Sequence, residues 1–337
     1  MMPRHEKSIL APRSIYSMAT KKKPKREKIT TERFFEEQAE HLKLKLIAGK
    51  SGLGRTIIEP TVNRPSLALA GFTKYIAYKR IQVIGNAEAY YLKSLPLQER
   101  IKSYKKLCSY KIPCIVFTRN LPIDRELKSI ANEIGVPILQ TPMVTMRFVN
   151  VSTIELDLLF APRDTVIGSM VDVHGIGVLI RGESGIGKSE SVLELIERGY
   201  SLVSDDITKV TLLDGREIVG TSSELSRYHM EVRGIGIINV AAMFGAKSIR
   251  TEKRLDLVVT LKAWKQVKNI DRLGMDEDRI RILGIKVRHV SIPVRPGRNL
   301  ARLIEVAALN AKLSAAGYNP ARELNDRLIA TMTSGKS

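Results

Sequence analysis

The 337-residue sequence has little of what stacking, disulfide or membrane chemistry needs. Aromatic residues make up 5% of it, with a single tryptophan. That leaves little material for a base-stacking platform on single-stranded nucleic acid. No zinc-finger spacing and no RNA-binding aromatic signature occurs. There are two cysteines, Cys108 and Cys114, in neither a metal-clamp nor a redox-pair spacing. They are expected to be reduced thiols of a cytoplasmic protein. No apolar run is long enough to span a bilayer. Near the N-terminus, Ile9-Leu10-Ala11 is too short for the core of a secretory signal.

What the chain has in surplus is positive charge. Lysine and arginine number 55 against 35 acidic residues, a net charge of +20. Such a balance suits nucleic acid, acidic lipid, a nucleotide or an acidic protein, and by itself does not choose among them. A hydrophobic fraction of 44% is enough for complete cores, and the length accommodates two domains. Residues 1–28, with Lys21-Lys22-Lys23-Pro24-Lys25-Arg26, are expected to form a basic unstructured tail, since like charges repel and little can be buried. Residues 29–150 alternate short apolar strands with helical runs and read as an α/β domain. Val151–Phe160 has helical spacing and reads as an inter-domain helix opening a second domain over 151–320. Residues 321–337 read as a frayed tail.

The chemistry concentrates in Gly182-Glu183-Ser184-Gly185-Ile186-Gly187-Lys188-Ser189, which satisfies G-x-x-x-x-G-K-[ST] at every fixed position. The apolar Gly177–Ile180 leads in as a strand, and Glu190–Arg198 leads out as a helix. In such a turn the backbone N–H groups converge on phosphate oxygens and the helix adds the positive end of its dipole. Lys188 would reach the β- and γ-phosphates, and the Ser189 hydroxyl would hold Mg²⁺. A second glycine cluster, Gly49–Arg55, has the wrong order and reads as a turn between strands.

Downstream, Ser201-Leu202-Val203-Ser204-Asp205-Asp206 is an apolar strand ending in two carboxylates, a fitting place for a general base. Neighbours on a strand point to opposite faces, so one of the two should aim into the site. If this strand lies beside the one before the loop, both ends open on one edge. Met230–Asn239 places Glu231 and Arg233 on one face among glycines. A loop with Asp271-Arg272-Leu273-Gly274 follows. Val287–Val294 is a strand running into Pro293-Val294-Arg295-Pro296-Gly297-Arg298. Asn299 then caps a helix over Leu300–Ala316.

Taken together, these motifs resemble the HPr kinase/phosphorylase family. The resemblance rests on the phosphate loop with Glu190, on Leu202–Asp206, Met230–Asn239, Asp271–Gly274 and Pro293–Ala301, and on Arg64-Pro65-Ser66 and Ala70-Gly71-Phe72 in the first domain. It implies ATP-dependent phosphorylation of a serine on the phosphocarrier protein HPr. It also implies removal of that phosphate by phosphorolysis, with inorganic phosphate as attacker and pyrophosphate as product. The implied fold is an N-terminal α/β domain plus a phosphate-loop kinase domain with a mixed sheet, similar to phosphoenolpyruvate carboxykinase, assembled as a homohexamer. On the resemblance, Lys188 and the loop amides hold phosphate, Ser189 and Glu231 bind Mg²⁺, Asp206 is the base and Arg272 stabilises the transferring phosphoryl group. Pro293–Arg298 resembles the loop linked to phosphorolysis. One position departs from the family: Ile167, followed by Gly168, stands where the family has an active-site histidine. A nucleic-acid-associated ATPase, or a kinase with another substrate, is the alternative reading of the loop taken alone.

Overall fold

The computed structural model describes residues 29–266 and 278–334, which form two compact units dividing after Pro162. In the first, the strands Val62–Asn63, Ile81–Ile84, Ile115–Phe117 and Ile138–Gln140 lie side by side and parallel. Lys45–Ala48 closes the far edge antiparallel. Alternation along these strands builds two cores. Ile84, Ile115 and Phe117 meet the helices Asn86–Ser94, Leu97–Ser109 and Arg125–Ile134, while Ile81, Val83 and Val116 meet Phe34, Phe148 and Leu156 on the other side.

That second core moves the expected domain boundary. The helix spans Thr145–Phe160, and Phe148, Leu156 and Leu159 are buried with the first unit's strands. A division at 150/151 would cut this helix in two; the second unit instead begins at Arg163.

The second unit holds a six-stranded sheet in the order Ser201–Ser204, Ser169–Val173, Ile176–Gly182, Leu257–Ala263, Ile285–Val294, Arg279–Ile282. Its three inner strands from Ile176–Gly182 to Ile285–Val294 are parallel and the other pairs antiparallel, so the sheet is mixed, as expected. The helices Lys188–Glu197 and Leu300–Ala315 cover one face through Val192, Leu195, Ile304 and Ala308. Met170, Leu179 and Val258 on the other face pack with Val210 and Ile218 of a four-stranded antiparallel sheet, Glu252–Arg254, Glu217–Thr221, Ile207–Leu213 and Arg163–Ile167. The tail expected from residue 321 is instead part of a helix, Pro320–Ser334, with proline at the first turn where its missing N–H costs nothing. Among the described residues no helix is long and apolar enough to cross a membrane. The basic tail and Arg272 lie outside the described residues.

Candidate active site

The phosphate loop forms as its spacing predicts. The strand Ile176–Gly182 ends at its first glycine, and the helix begins at Lys188. Gly185 and Gly187 take φ of 81° and 96°, backbone that a side chain would strain, and these two left-handed residues turn the chain back onto the helix N-terminus. A Cβ on Gly187 would also come within 3.2 Å of Leu300 Cδ1, so the start of the second covering helix abuts the loop.

The strand ending in two carboxylates is not adjacent to the loop strand. Ser169–Val173 runs between them, antiparallel to both. Two reversals restore the direction, so Ser204 and Gly182 still finish on one edge. The register sets Ser169 opposite Ile180 and its neighbour Met170 opposite Ser204, which brings both strand ends to the Ser169 hydroxyl.

There the two aspartates separate. Asp206 has φ 51° and is 58% exposed at its side chain. Its carboxylate pairs with Lys188 Nζ, whose side chain is 12% exposed. Asp205 is buried and accepts from Ser169 Oγ at 2.7 Å and from the Glu231 backbone N–H at 3.2 Å. Ser169 Oγ in turn accepts from Lys188 Nζ and from the Asp206 N–H, each at 3.2 Å. One hydroxyl proton and two lone pairs are thus all in use. Ser169 is a residue that sequence reasoning missed. A serine opening an apolar strand is a weak signal, and only the strand order shows what it joins.

Glu231 reaches the site through the hairpin His229–Val232/Gly236–Asn239. Its backbone is tied to Asp205, its side chain is exposed, and Arg233 of the same hairpin donates to Ser184 Oγ in the phosphate loop. Glu183 of the loop accepts from Gln266 Nε2 at 3.1 Å. Ser189 lies in the first turn of the helix.

Residues 293–298 border the same edge. Pro293 and Val294 end their strand, and Arg298 Nη1 donates to the Pro293 carbonyl at 3.2 Å. The Arg295 guanidinium stacks on Trp264, 3.1 Å from the ring centre. Asn299 caps the helix through Arg302 N–H and donates to Glu194 on the phosphate-loop helix at 2.6 Å. That amide first, and Arg198 second, hold the Glu194 carboxyl below its ordinary range.

Ile167 ends the strand Arg163–Ile167, opposite Ile207 in the next strand, and is 73% exposed. The Gly168 N–H donates to the Asp206 carbonyl at 2.7 Å, so Ile167 stands beside the carboxylates. His174 does not replace a histidine there. It follows the opposite end of the strand Ser169–Val173, where its Nε2 meets Tyr200 Oη at 2.6 Å.

Among the described residues no three His, Cys, Asp or Glu side chains cluster as a metal cage. A site with one carboxylate and one hydroxyl fits Mg²⁺ bound chiefly through phosphate and water.

Comparison with known proteins bears on the family of the chain. Residues 159–328 match the family described as HPr Serine kinase C-terminal domain, and residues 29–156 that described as HPr Serine kinase N terminus. The HPr kinase/phosphorylase of Bacillus mycoides (strain KBAB4) is 40% identical over 296 residues, covering 88% of this chain and 96% of the relative. The protein of the same name from Bacillus cytotoxicus is 41% identical over the same length and the same shares. Among solved structures, the Hpr(Ser) kinase/phosphatase from Coxiella burnetii aligns with TM-score 0.44 and 32% identity, over 48% of this chain and 98% of that one.

Proposed function

The chain belongs to the HPr serine kinase family, and from that premise we propose that it is an ATP-dependent kinase for a serine of HPr and the phosphorylase that reverses this step. The observation that carries the reading is the pairing of the phosphate-loop lysine with a carboxylate at the end of a neighbouring strand.

In the forward direction the loop amides and Lys188 bind the γ-phosphoryl group. Phosphate oxygens compete with Asp206 for the Lys188 ammonium, so nucleotide binding frees the carboxylate it needs. Asp206 then accepts the seryl proton as the serine oxygen attacks phosphorus and the bond to the β-phosphate oxygen breaks. In reverse, an oxygen of inorganic phosphate attacks the phosphoseryl phosphorus. The protonated Asp206 returns its proton to the departing serine, and pyrophosphate leaves. Microscopic reversibility makes one group serve both directions. Ser169 and Asp205 hold this arrangement, the first through Lys188 and the Asp206 amide, the second through the Glu231 backbone. Ser189 and Glu231 would hold Mg²⁺, which when bound offsets phosphate charge. Arg272 stabilises the transferring group, and Pro293–Arg298 serve phosphorolysis. We place the enzyme in the cytoplasm as a homohexamer, the state that the family resemblance implies.

Incubation with HPr and γ-labelled ATP tests the reading. Label should pass to one HPr serine, and later addition of phosphate should release it as pyrophosphate. Unlabelled HPr together with ATP hydrolysis stimulated by DNA or RNA would overturn it in favour of a nucleic-acid-associated ATPase.

A further inference from the structure

The chain is poor in aromatic residues, and the first unit gathers many of those it has on one basic face. Six of the ten tyrosines lie within residues 75–110, and residues 64–111 hold ten lysines and arginines against two acidic residues, Glu88 and Glu99. The fold turns this stretch into a single surface. The helices Asn86–Ser94 and Leu97–Ser109 lie on the same side of the sheet, over one core. The segment 64–80 crosses them. Arg64 and Ser66 bind Glu88 of the first helix. The Leu69 and Gly71 carbonyls accept from Ser103 Oγ at 3.2 Å and Lys106 Nζ at 3.1 Å of the second. Ile76 packs inward on that core.

What faces out is aromatic and cationic. Phe72, Tyr75, Tyr78 and Tyr90 are between 41% and 78% exposed. The arginines of the stretch are engaged, Arg64 by Glu88, Arg80 by Glu59 and Arg100 by Asp124. Its seven lysines form no ion pair among the described residues. Three of them stand over tyrosine rings: Lys74 lies 5.6 Å from the centre of Tyr75, Lys79 6.0 Å from Tyr78, and Lys93 5.9 Å from Tyr90. One unit thus repeats, an exposed ring with an ammonium that has no carboxylate. A single-stranded nucleotide carries the complementary parts, a base with an open π-face and a phosphate next to it. Paired bases in a duplex offer no free face. An acidic peptide would use the lysines and leave the rings in water. A lipid surface is best met by Trp, Phe and Leu, whereas three of these four rings are phenols.

We propose that this face of the first unit binds single-stranded nucleic acid without sequence preference. Bases stack on Tyr75, Tyr78 and Tyr90, and phosphates meet the lysines beside them. The low overall aromatic content is no obstacle, because the rings are concentrated where the charge is. Binding here needs neither the phosphate loop nor ATP hydrolysis, so it stands apart from the kinase reading and is tested apart from it.

The probe is a fluorescein-labelled oligothymidylate long enough to span several rings, titrated with the full chain and followed by fluorescence anisotropy. It is expected to bind with a Kd on the order of 1–100 μM near physiological salt, and more weakly as salt rises. The basic residues 1–28 attract any polyanion by charge alone, so the rings decide the question. Tyr75→Ala and Tyr90→Ala should each weaken binding about 5–100-fold, the loss of one stacked base. Tyr75→Phe, which keeps the ring, should bind as wild type does. Lys93→Gln should lower the slope of log K against log salt by about 0.7, one phosphate contact on a single strand. All four side chains are at the surface, and an unchanged melting temperature shows that the variants fold. Affinity that is indifferent to both Tyr→Ala changes overturns the proposal, since charge alone then accounts for the binding. Polyglutamate, or vesicles of phosphatidylserine and phosphatidylcholine, binding as tightly as the oligonucleotide and weakened equally by Tyr75→Ala would also overturn it, by assigning the face to an acidic peptide or a lipid surface.

Discussion

Lys188 Nζ and the Asp206 carboxylate form an ion pair between residues eighteen positions apart, one in the phosphate loop and one after a strand two places away in the sheet. In the proposed reaction both groups are needed, and each would hold the other until phosphate intervenes. Lys188→Ala should therefore abolish HPr phosphorylation and phosphorolysis together, since both pass through one phosphoryl site. Turnover with labelled ATP and phosphate release from phospho-HPr measure the two directions. Near-normal turnover in either direction sinks the assignment.

Asp206 and Asp205 should separate experimentally as they do in space. Asp206→Asn keeps shape and tolerates the left-handed backbone, so the melting temperature should hold while kinase turnover falls roughly 10²–10⁴-fold through loss of proton transfer. Asp205→Asn leaves a buried acceptor pair incompletely matched, at a cost of about 1–3 kcal/mol. It should lower the melting temperature and reduce turnover less. Equal turnover losses with unchanged stability in both would mean that the two carboxylates share the proton.

Ile167 offers neither proton nor charge beside Asp206. Phosphorolysis sets a second phosphate against the first, so it suffers most from a missing donor. The ratio of reverse to forward activity is expected to be low in wild type and to rise in Ile167→His. Comparison of the two ratios in matched assays checks this, and an unchanged ratio refutes it.

In the first unit, Glu88 is buried at its side chain and bound by Arg64 through Nε at 3.0 Å and Nη2 at 2.9 Å, with Ser66 also donating. Burial pushes this carboxyl up, but Arg64, Ser66 and backbone N–H groups outweigh it and leave it below its ordinary value of 4.5. A depressed folded pKa stabilises above the unfolded value and loses that contribution as pH falls through the folded one. Wild type should therefore lose stability below about pH 4.5 more steeply than Glu88→Gln, which has no proton to gain there. Urea melts of both across this range measure the slopes. Parallel slopes would show that the Arg64–Glu88 pair contributes nothing to acid sensitivity.

The phosphate loop, its flanking strand and helix, the acidic strand end and the capped final helix of the core were legible in the chain, because each is set by a few neighbouring residues. Glycines at fixed spacing permit the loop, apolar alternation makes the strands, and Asn299 caps its helix by reaching three residues ahead. The family resemblance followed from several such local motifs in order. The tertiary structure decided the rest, since it depends on which strands pair. The sheet order sets Ser169 opposite Ile180 and the next residue, Met170, opposite Ser204, and so makes one serine the junction of Lys188, Asp205 and Asp206. It separates a buried Asp205 from an exposed Asp206, which adjacency in sequence leaves open. It assigns Thr145–Phe160 to the first core, because the burial of Phe148 and Leu156 depends on strands far away in the chain. Helical spacing shows that a helix has an apolar side; only its packed neighbours determine which domain that side completes.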